Sequence, residues 1–203
     1  MPVEKTDNWW QTRHKNVLAS DFSQAKILFL GDSITQNWEE EEFGYPVWQQ
    51  YYGDNAVNLG FSADKTQHLL WRITNGEIDN ISPEVTILLI GTNNAQDDSA
   101  AEIAKGVNAI IDVIENKLPE TQLIVHRIFP RGKSTEPLRS VTDEASEIFS
   151  QRANTPNITY VDINEYFLDG QGDVPQDIMP DGLHLSTQGY TIWANEISNY
   201  ISP

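Results

Sequence analysis

Five short apolar runs, each separated from the next by a stretch with helical or turn character, constrain this chain more than any other feature. They are Lys26-Ile-Leu-Phe-Leu-Gly31, Ala56-Val-Asn-Leu-Gly60, Val85-Thr-Ile-Leu-Leu-Ile-Gly91, Gln122-Leu-Ile-Val-His126 and Ile158-Thr-Tyr-Val-Asp162. The first, third and fourth are almost continuously apolar, as strands covered on both faces must be. Between the third and fourth, Ile103, Val107, Ile110, Ile111, Ile114 and Leu118 form one stripe at helical period. Ser99, three residues before Glu102, is a capping-box signature for the start of that helix. Tyr190, Trp193, Ala194, Ile197 and Ile201 predict another amphipathic helix near the end. Such alternation argues for a parallel sheet between helix layers, joined by right-handed crossovers. In folds of this kind ligands bind beyond the carboxyl ends of the strands, and the chemistry is to be sought there.

Composition narrows the functional classes. The 203 residues suit one domain over 1–203, with residues 1–24 forming a helical or extended arm ahead of the first strand. A chain of this size buries roughly 70% of its unfolded surface, enough for a core without staples. The absence of cysteine excludes a disulfide scaffold, a thiol nucleophile and thiolate metal sites. His14, His68, His126 and His184 are scattered, with no pair at zinc-helix spacing, so no metal and no cofactor is expected. With 13 basic against 30 acidic side chains the net charge is -17, which disfavours nucleic acid and anionic membranes as partners. No stretch approaches the ~18 apolar residues of a membrane span. The first ten residues lack an apolar signal-peptide core, which reads as cytoplasmic, or as periplasmic or secreted if a signal had been removed ahead of this numbering.

Polar motifs stand where the strands end. Gly31-Asp32-Ser33 places a serine directly after the first strand, where a tight turn can expose a nucleophile; the bland reading is a helix N-cap. Gly60, ending the second strand, leaves a backbone N–H free to donate, or is an ordinary turn glycine. Asn93, in Gly91-Thr-Asn-Asn94, can aim its amide at a developing oxyanion or close an Asx turn. Before the last helix, Asp181 and His184 stand three apart, so that the carboxylate can hold Nδ1–H and free Nε2 to take a proton from a serine. Each signal alone is weak. Together they supply a nucleophile, a base, an orienting acid and a three-donor oxyanion hole.

In these blocks the sequence resembles the SGNH (GDSL) hydrolase superfamily, within it the branch of platelet-activating-factor acetylhydrolase catalytic subunits and bacterial carbohydrate acetylesterases. The carrying segments are Leu28–Trp38, Asn58–Thr66 with Leu70–Gly76, Gly91–Asn94, Ile128–Gly132 and Asp181–His184. The resemblance implies an α/β fold, a flavodoxin-like three-layer α/β/α sandwich with a five-stranded parallel sheet. It implies Ser33 as nucleophile, His184 as base and Asp181 as orienter, with the N–H groups of Ser33 and Gly60 and the Asn93 side chain as oxyanion donors. A homodimer is implied by the acetylhydrolase resemblance alone. The chain departs from relatives where Phe61-Ser62-Ala63 follow Gly60 in place of further glycines, a change that bears on the loop beside the acyl pocket.

The activity expected is hydrolysis of short acyl esters, acetyl foremost, from a small acylated substrate such as an acetylated sugar. Alternatives are a lysophospholipase-like lipid acylhydrolase, and a catalytically silent binding subunit on the same fold. A phosphoryl-transfer site at Asp32 lacks its second carboxylate, because position 34 is Ile34. Asp32, Phe61 and Arg131 are the candidate substrate contacts: Phe61 either closes the acyl end or packs in the core, and Arg131 either meets a substrate oxygen or forms a salt bridge. Trp9, Trp10, Trp38, Trp48 and Trp71 are expected to pack in the core or an interface rather than stack on sugars.

Overall fold

The structure, a computed structural model, describes residues 1–152 and 155–201. The chain enters through helix α1 (Asn8–Ala19), then strand β1 (Ile27–Gly31), the single-turn helix α2 (Ser33–Gln36) and α3 (Tyr45–Tyr51). Strand β2 (Ala56–Gly60), helix α4 (Thr66–Thr74), strand β3 (Val85–Leu89) and helix α5 (Ala100–Lys117) follow. Strand β4 (Gln122–His126), helix α6 (Pro137–Ser150), strand β5 (Ile158–Val161) and helix α7 (Thr187–Ile197) complete the order. All neighbouring strands are parallel, in the order β2-β1-β3-β4-β5. The five apolar runs are therefore the five strands, and the order reverses between β1 and β3. That reversal opens the crevice at which a doubly wound sheet binds its ligand.

Strand side chains alternate between two cores, which makes the fold three-layered. Leu28, Leu30, Leu59, Leu88, Leu123 and Val125 join the core beneath α1, α4, α5 and α6. Phe29, Ile87, Leu89, Ile124 and Val161 point to the opposite core, beneath α3 and α7. The first core is largely aliphatic, filled by the α5 stripe from Ile103 to Ile114. Ser99 and Glu102 form the expected reciprocal cap at the start of that helix. The second core is aromatic: Phe29, Trp38, Trp48, Tyr52, Tyr190 and Trp193 are all buried, with the Trp38 and Tyr190 rings 4.4 Å apart. Trp10, Trp38 and Trp48 thus pack as expected; Trp9 remains 45% exposed.

The C-terminal stripe continues to Ile201, but α7 stops at Ile197 and tightens into a 3-10 turn over Ser198–Tyr200. Its Ser198 N–H is shared between the carbonyls of Ala194 and Asn195, the usual signature of such tightening. Among the described residues no helix is long and apolar enough to cross a membrane.

One buried imidazole gives the fold a pH dependence. His126 ends β4, is 1% exposed, and accepts a hydrogen bond from Trp193 Nε1 at 3.0 Å. Burial drives its pKa down from 6.5 to about 3. Above 6.5 both folded and unfolded chains hold it neutral; below that, only the unfolded chain takes the proton. Stability is accordingly lost as pH falls from about 6.5 towards 3, with a limiting slope of about 1.4 kcal/mol per pH unit. Urea unfolding at pH 7 and pH 5 should show a smaller acid loss in His126→Phe than in the wild type. Equal losses would show that His126 does not carry this dependence.

Candidate active site

Three strand exits and one C-terminal loop converge at the crevice. After Gly31 the chain turns directly into α2, and Asp32 caps it by accepting from the Ile34 N–H at 3.0 Å. Ser33 is the first residue of that helix and is 9% exposed. At the exit of β3, Gly91 takes φ +127°, a conformation costly for any residue with a side chain, and turns the chain into Thr92–Asn94. The fourth contributor is the loop before α7. Buried Leu185 anchors it, Ser186 N–H donates to the Ile178 carbonyl at 2.8 Å, and Gly132 N–H donates to the Gly182 carbonyl at 2.7 Å.

That loop brings Asp181 and His184 onto one turn. One Asp181 oxygen accepts from the backbone N–H groups of Leu183 (2.9 Å) and His184 (2.7 Å). The other lies 2.7 Å from His184 Nδ1. A carboxylate can only accept, so Nδ1 carries the proton and Nε2 is left as the acceptor. Nε2 lies 2.9 Å from Ser33 Oγ, across 151 residues of sequence. Partial burial pushes the Asp181 carboxyl upward, but the hydrogen bonds from His184 and Leu183 outweigh it and hold its pKa below 3.8. Ser33, Asn37, Phe43, Ser62, Pro180, Asp181 and His184 line a cleft of about 420 Å³. A hydroxyl, an acceptor imidazole and an orienting carboxylate in hydrogen-bonded series can carry out nucleophilic acyl transfer.

The GDSL-like lipase/acylhydrolase family model matches residues 29–192. The chain belongs to this family. Platelet-activating factor acetylhydrolase IB subunit alpha2 of Rattus norvegicus is 32% identical over 190 residues, covering 93% of this chain and 81% of that protein. Subunit alpha1 of Homo sapiens is 30% identical over 191 residues, covering 93% and 80%. The solved structure of an acetylxylan esterase from Geobacillus stearothermophilus shares the fold with a TM-score of 0.67 at 23% identity, covering 87% of this chain and 94% of that one.

This GDSL acylhydrolase is a carboxylic ester hydrolase, yet several side chains expected at its site lie elsewhere. The Gly60 N–H is not free: it donates to Asn58 Oδ1 at 2.8 Å. What Gly60 supplies is space, since a Cβ there would lie 2.2 Å from the Gln36 backbone nitrogen. Phe61 is fully buried between Trp10 and the Arg72 guanidinium, which lies 3.8 Å above its ring. It therefore packs in the core and closes no acyl pocket. Arg131 extends to the Thr92 carbonyl and hydroxyl, each at 3.4 Å, tying two strand exits together. It neither lines the cleft nor forms an ion pair among the described residues.

Asp32 is likewise no substrate contact, being 1% exposed with Oδ2 unpartnered. Asn93 is partly buried, and its amide donates one N–H to the Asp64 carbonyl at 2.9 Å, leaving the second N–H unassigned.

The sequence reading missed Ala63. It takes φ +58°, is exposed, and its N–H meets no acceptor among the described residues. Asn37 and Phe43 were missed as cleft walls. Asn37 was legible in principle, because it stands one helical turn beyond Ser33; Ala63 was not, because nothing in an alanine announces a positive φ.

Burial raises the Asp32 pKa from 3.8 to about 7. Below 3.8 both states hold the proton; between 3.8 and about 7 only the folded chain keeps it, so this group lowers stability as pH rises. Asp32→Asn retains an oxygen for the Ile34 N–H and cannot ionise. Denaturant titrations from pH 4 to 8 should show a steeper rise of stability with pH in the variant, by at most about 1.4 kcal/mol per unit. Identical slopes would mean that Asp32 is already ionised in the folded protein.

Proposed function

We propose that this hydrolase removes acetyl and similarly short acyl groups from sugar hydroxyls through Ser33, His184 and Asp181. The observation that carries the reading is the continuous series Ser33 Oγ–His184 Nε2–His184 Nδ1–Asp181, at 2.9 and 2.7 Å. In the first half-reaction Ser33 Oγ attacks the ester carbonyl while His184 Nε2 takes the hydroxyl proton. Asp181 stabilises the imidazolium, and His184 then protonates the departing alcohol. Water repeats the sequence on the acyl-enzyme and releases the acid.

The oxyanion needs donors aimed at it before charge develops. The Ser33 N–H, at the unsatisfied start of α2, is one, and the second N–H of Asn93 is another. Ala63 N–H takes the place that the sequence suggested for Gly60, since it is the unengaged amide beside Ser62 in the cleft.

Support for a short acyl group comes from the cleft and from the relatives. Phe43 and Pro180 give it a small apolar wall. The named activities of the relatives, a platelet-activating-factor acetylhydrolase and an acetylxylan esterase, share acetyl and differ in the alcohol. Asn37 and Ser62 add side chains able to hydrogen-bond hydroxyls, which favours a sugar. A net charge of -17 also opposes adsorption to anionic lipid surfaces.

Ser33→Ala should lose on the order of 10⁴-fold in kcat on an aryl acetate while keeping its fold, judging from serine triads generally. Wild-type rates in that variant would remove Ser33 as nucleophile. On aryl esters from two to twelve carbons, kept below their micelle concentrations, kcat/KM should fall with chain length. Each methylene that a deep pocket could bury would contribute about 0.8 kcal/mol, so a rising profile would report a long acyl channel and a lipase. Acetylated xylan fragments assayed beside acetylated phospholipid decide the alcohol.

A further inference from the structure

Arg72 is the most deeply buried cation described, with an exposure of 0%. Its Nε donates to Asp64 Oδ2 at 2.8 Å, one terminal nitrogen donates to Glu77, and the other to the Gly31 carbonyl at 3.3 Å. The remaining oxygens of the two acids are taken by helix α1. Trp10 Nε1 donates to Asp64 Oδ1 at 2.7 Å, and His14 Nδ1 lies 2.7 Å from Glu77 Oε1. Nothing in the catalytic series uses this cluster, and an apolar core of equal volume could be as stable as a buried ion group.

What the cluster grips is the backbone of the site. Gly31 stands two residues before Ser33. Asp64 lies directly after Ala63, and its carbonyl receives the Asn93 amide at 2.9 Å. Two of the three donors assigned to the oxyanion therefore flank or touch Asp64, whose side chain is fixed by Arg72 and Trp10. Charge-assisted hydrogen bonds have short lengths and set directions, which is what positioning requires. Helix α1 lies outside the strand-and-loop set that supplies the reacting groups; besides these bonds it touches the strand exits through Arg13, whose Nε donates to the Gly60 carbonyl at 3.0 Å.

We propose that Trp10 and Arg72 are positioning residues: through the Asp64 carboxylate, helix α1 holds the Ala63 and Asn93 donors in register with Ser33. The inference rests on the oxyanion reading given above. A displacement of about 1 Å in such a donor can cost about 10²-fold in rate, so loosening Asp64 is expected to reach kcat before it reaches substrate binding.

The test is a double-mutant cycle on the full chain, with an aryl acetate as substrate. Competent Ser33 is counted by organophosphonate titration, so that kcat refers to folded enzyme. Trp10→Phe removes the indole donor and should lower kcat roughly 10-fold with KM within about twofold. Arg72→Lys, which cannot span three acceptors, should move kcat in the same direction and serves as second variant where Trp10→Phe folds poorly. Asn93→Ala alone should lose about 10²- to 10³-fold. The pair Trp10→Phe with Asn93→Ala should then lose less than the product of the two single losses, because the share of the Trp10 effect that passes through the Asn93 donor is already gone. Losses that multiply, or a lowered Tm with kcat unchanged, would overturn the positioning role. An Asn93→Ala enzyme with unchanged kcat would overturn the oxyanion reading itself, an outcome distinct from a failure of Trp10→Phe alone.

Discussion

The first turn of α2 lies against the ends of β1 and β2 at a distance that only glycine permits. A Cβ on Gly31 would sit 2.1 Å from Thr35 Oγ1 and 2.4 Å from the Leu89 carbonyl, and one on Gly60 would meet the Gln36 nitrogen at 2.2 Å. A four-residue helix has no stability of its own, because nucleation costs more than its few hydrogen bonds return. Its surroundings hold it. Asn58 donates to the Thr35 carbonyl at 2.9 Å, and Tyr190 OH donates to the Ile34 carbonyl at 2.6 Å from the opposite layer. Ser33 is fixed at the sheet rim as a consequence, and every other part of the site is arranged around that point.

Three aspartates near Ser33 show how environment assigns work to one side chain. Asp32 is buried without a cation, and burial, with the nearby Asp64 charge adding to it, raises its pKa to about 7. Asp64 is equally buried but bonded to Arg72 and Trp10, which turns it into a fixed acceptor for structure. Asp181 is half-exposed and gathers its hydrogen bonds from its own loop, so its ionised form costs little while it orients His184. Only the last touches the reacting series. Proximity to Ser33 in sequence, as for Asp32, is a poor guide to a place in the hydrogen-bonded series; direction and access decide it.

The strands, the α5 stripe with its Ser99 cap, and the pairing of Asp181 with His184 were legible because each rests on neighbours within one or two turns of chain. Periodicity fixes which face of an element is apolar, and an Asp three residues before a His fits one loop turn. Arg72 left a trace of the same kind: it interrupts the apolar face formed by Leu69 and Ile73, and a cation in such a stripe requires buried acids. Asp64 and Glu77 stand close enough in sequence to have been named as those acids. Trp10 and His14 did not, since 54 and 63 residues separate them from their partners.

From the sequence alone came the layered α/β architecture, the strand ends that carry the polar motifs, and the serine, histidine and aspartate that the fold brings into one hydrogen-bonded series. These depend on local period and on the rule that parallel strands deliver their loops to one edge. The tertiary structure decided which atoms are free. It directed the Gly60 N–H to Asn58, turned Phe61 and Asp32 inward, drew Arg131 to Thr92, and left the Ala63 amide open at a positive φ. Apart from the Gly60–Asn58 bond, which spans two residues, those outcomes are set by packing between segments far apart in the chain, where a hydrogen bond made by one partner is no longer available to another, and no local pattern encodes that competition.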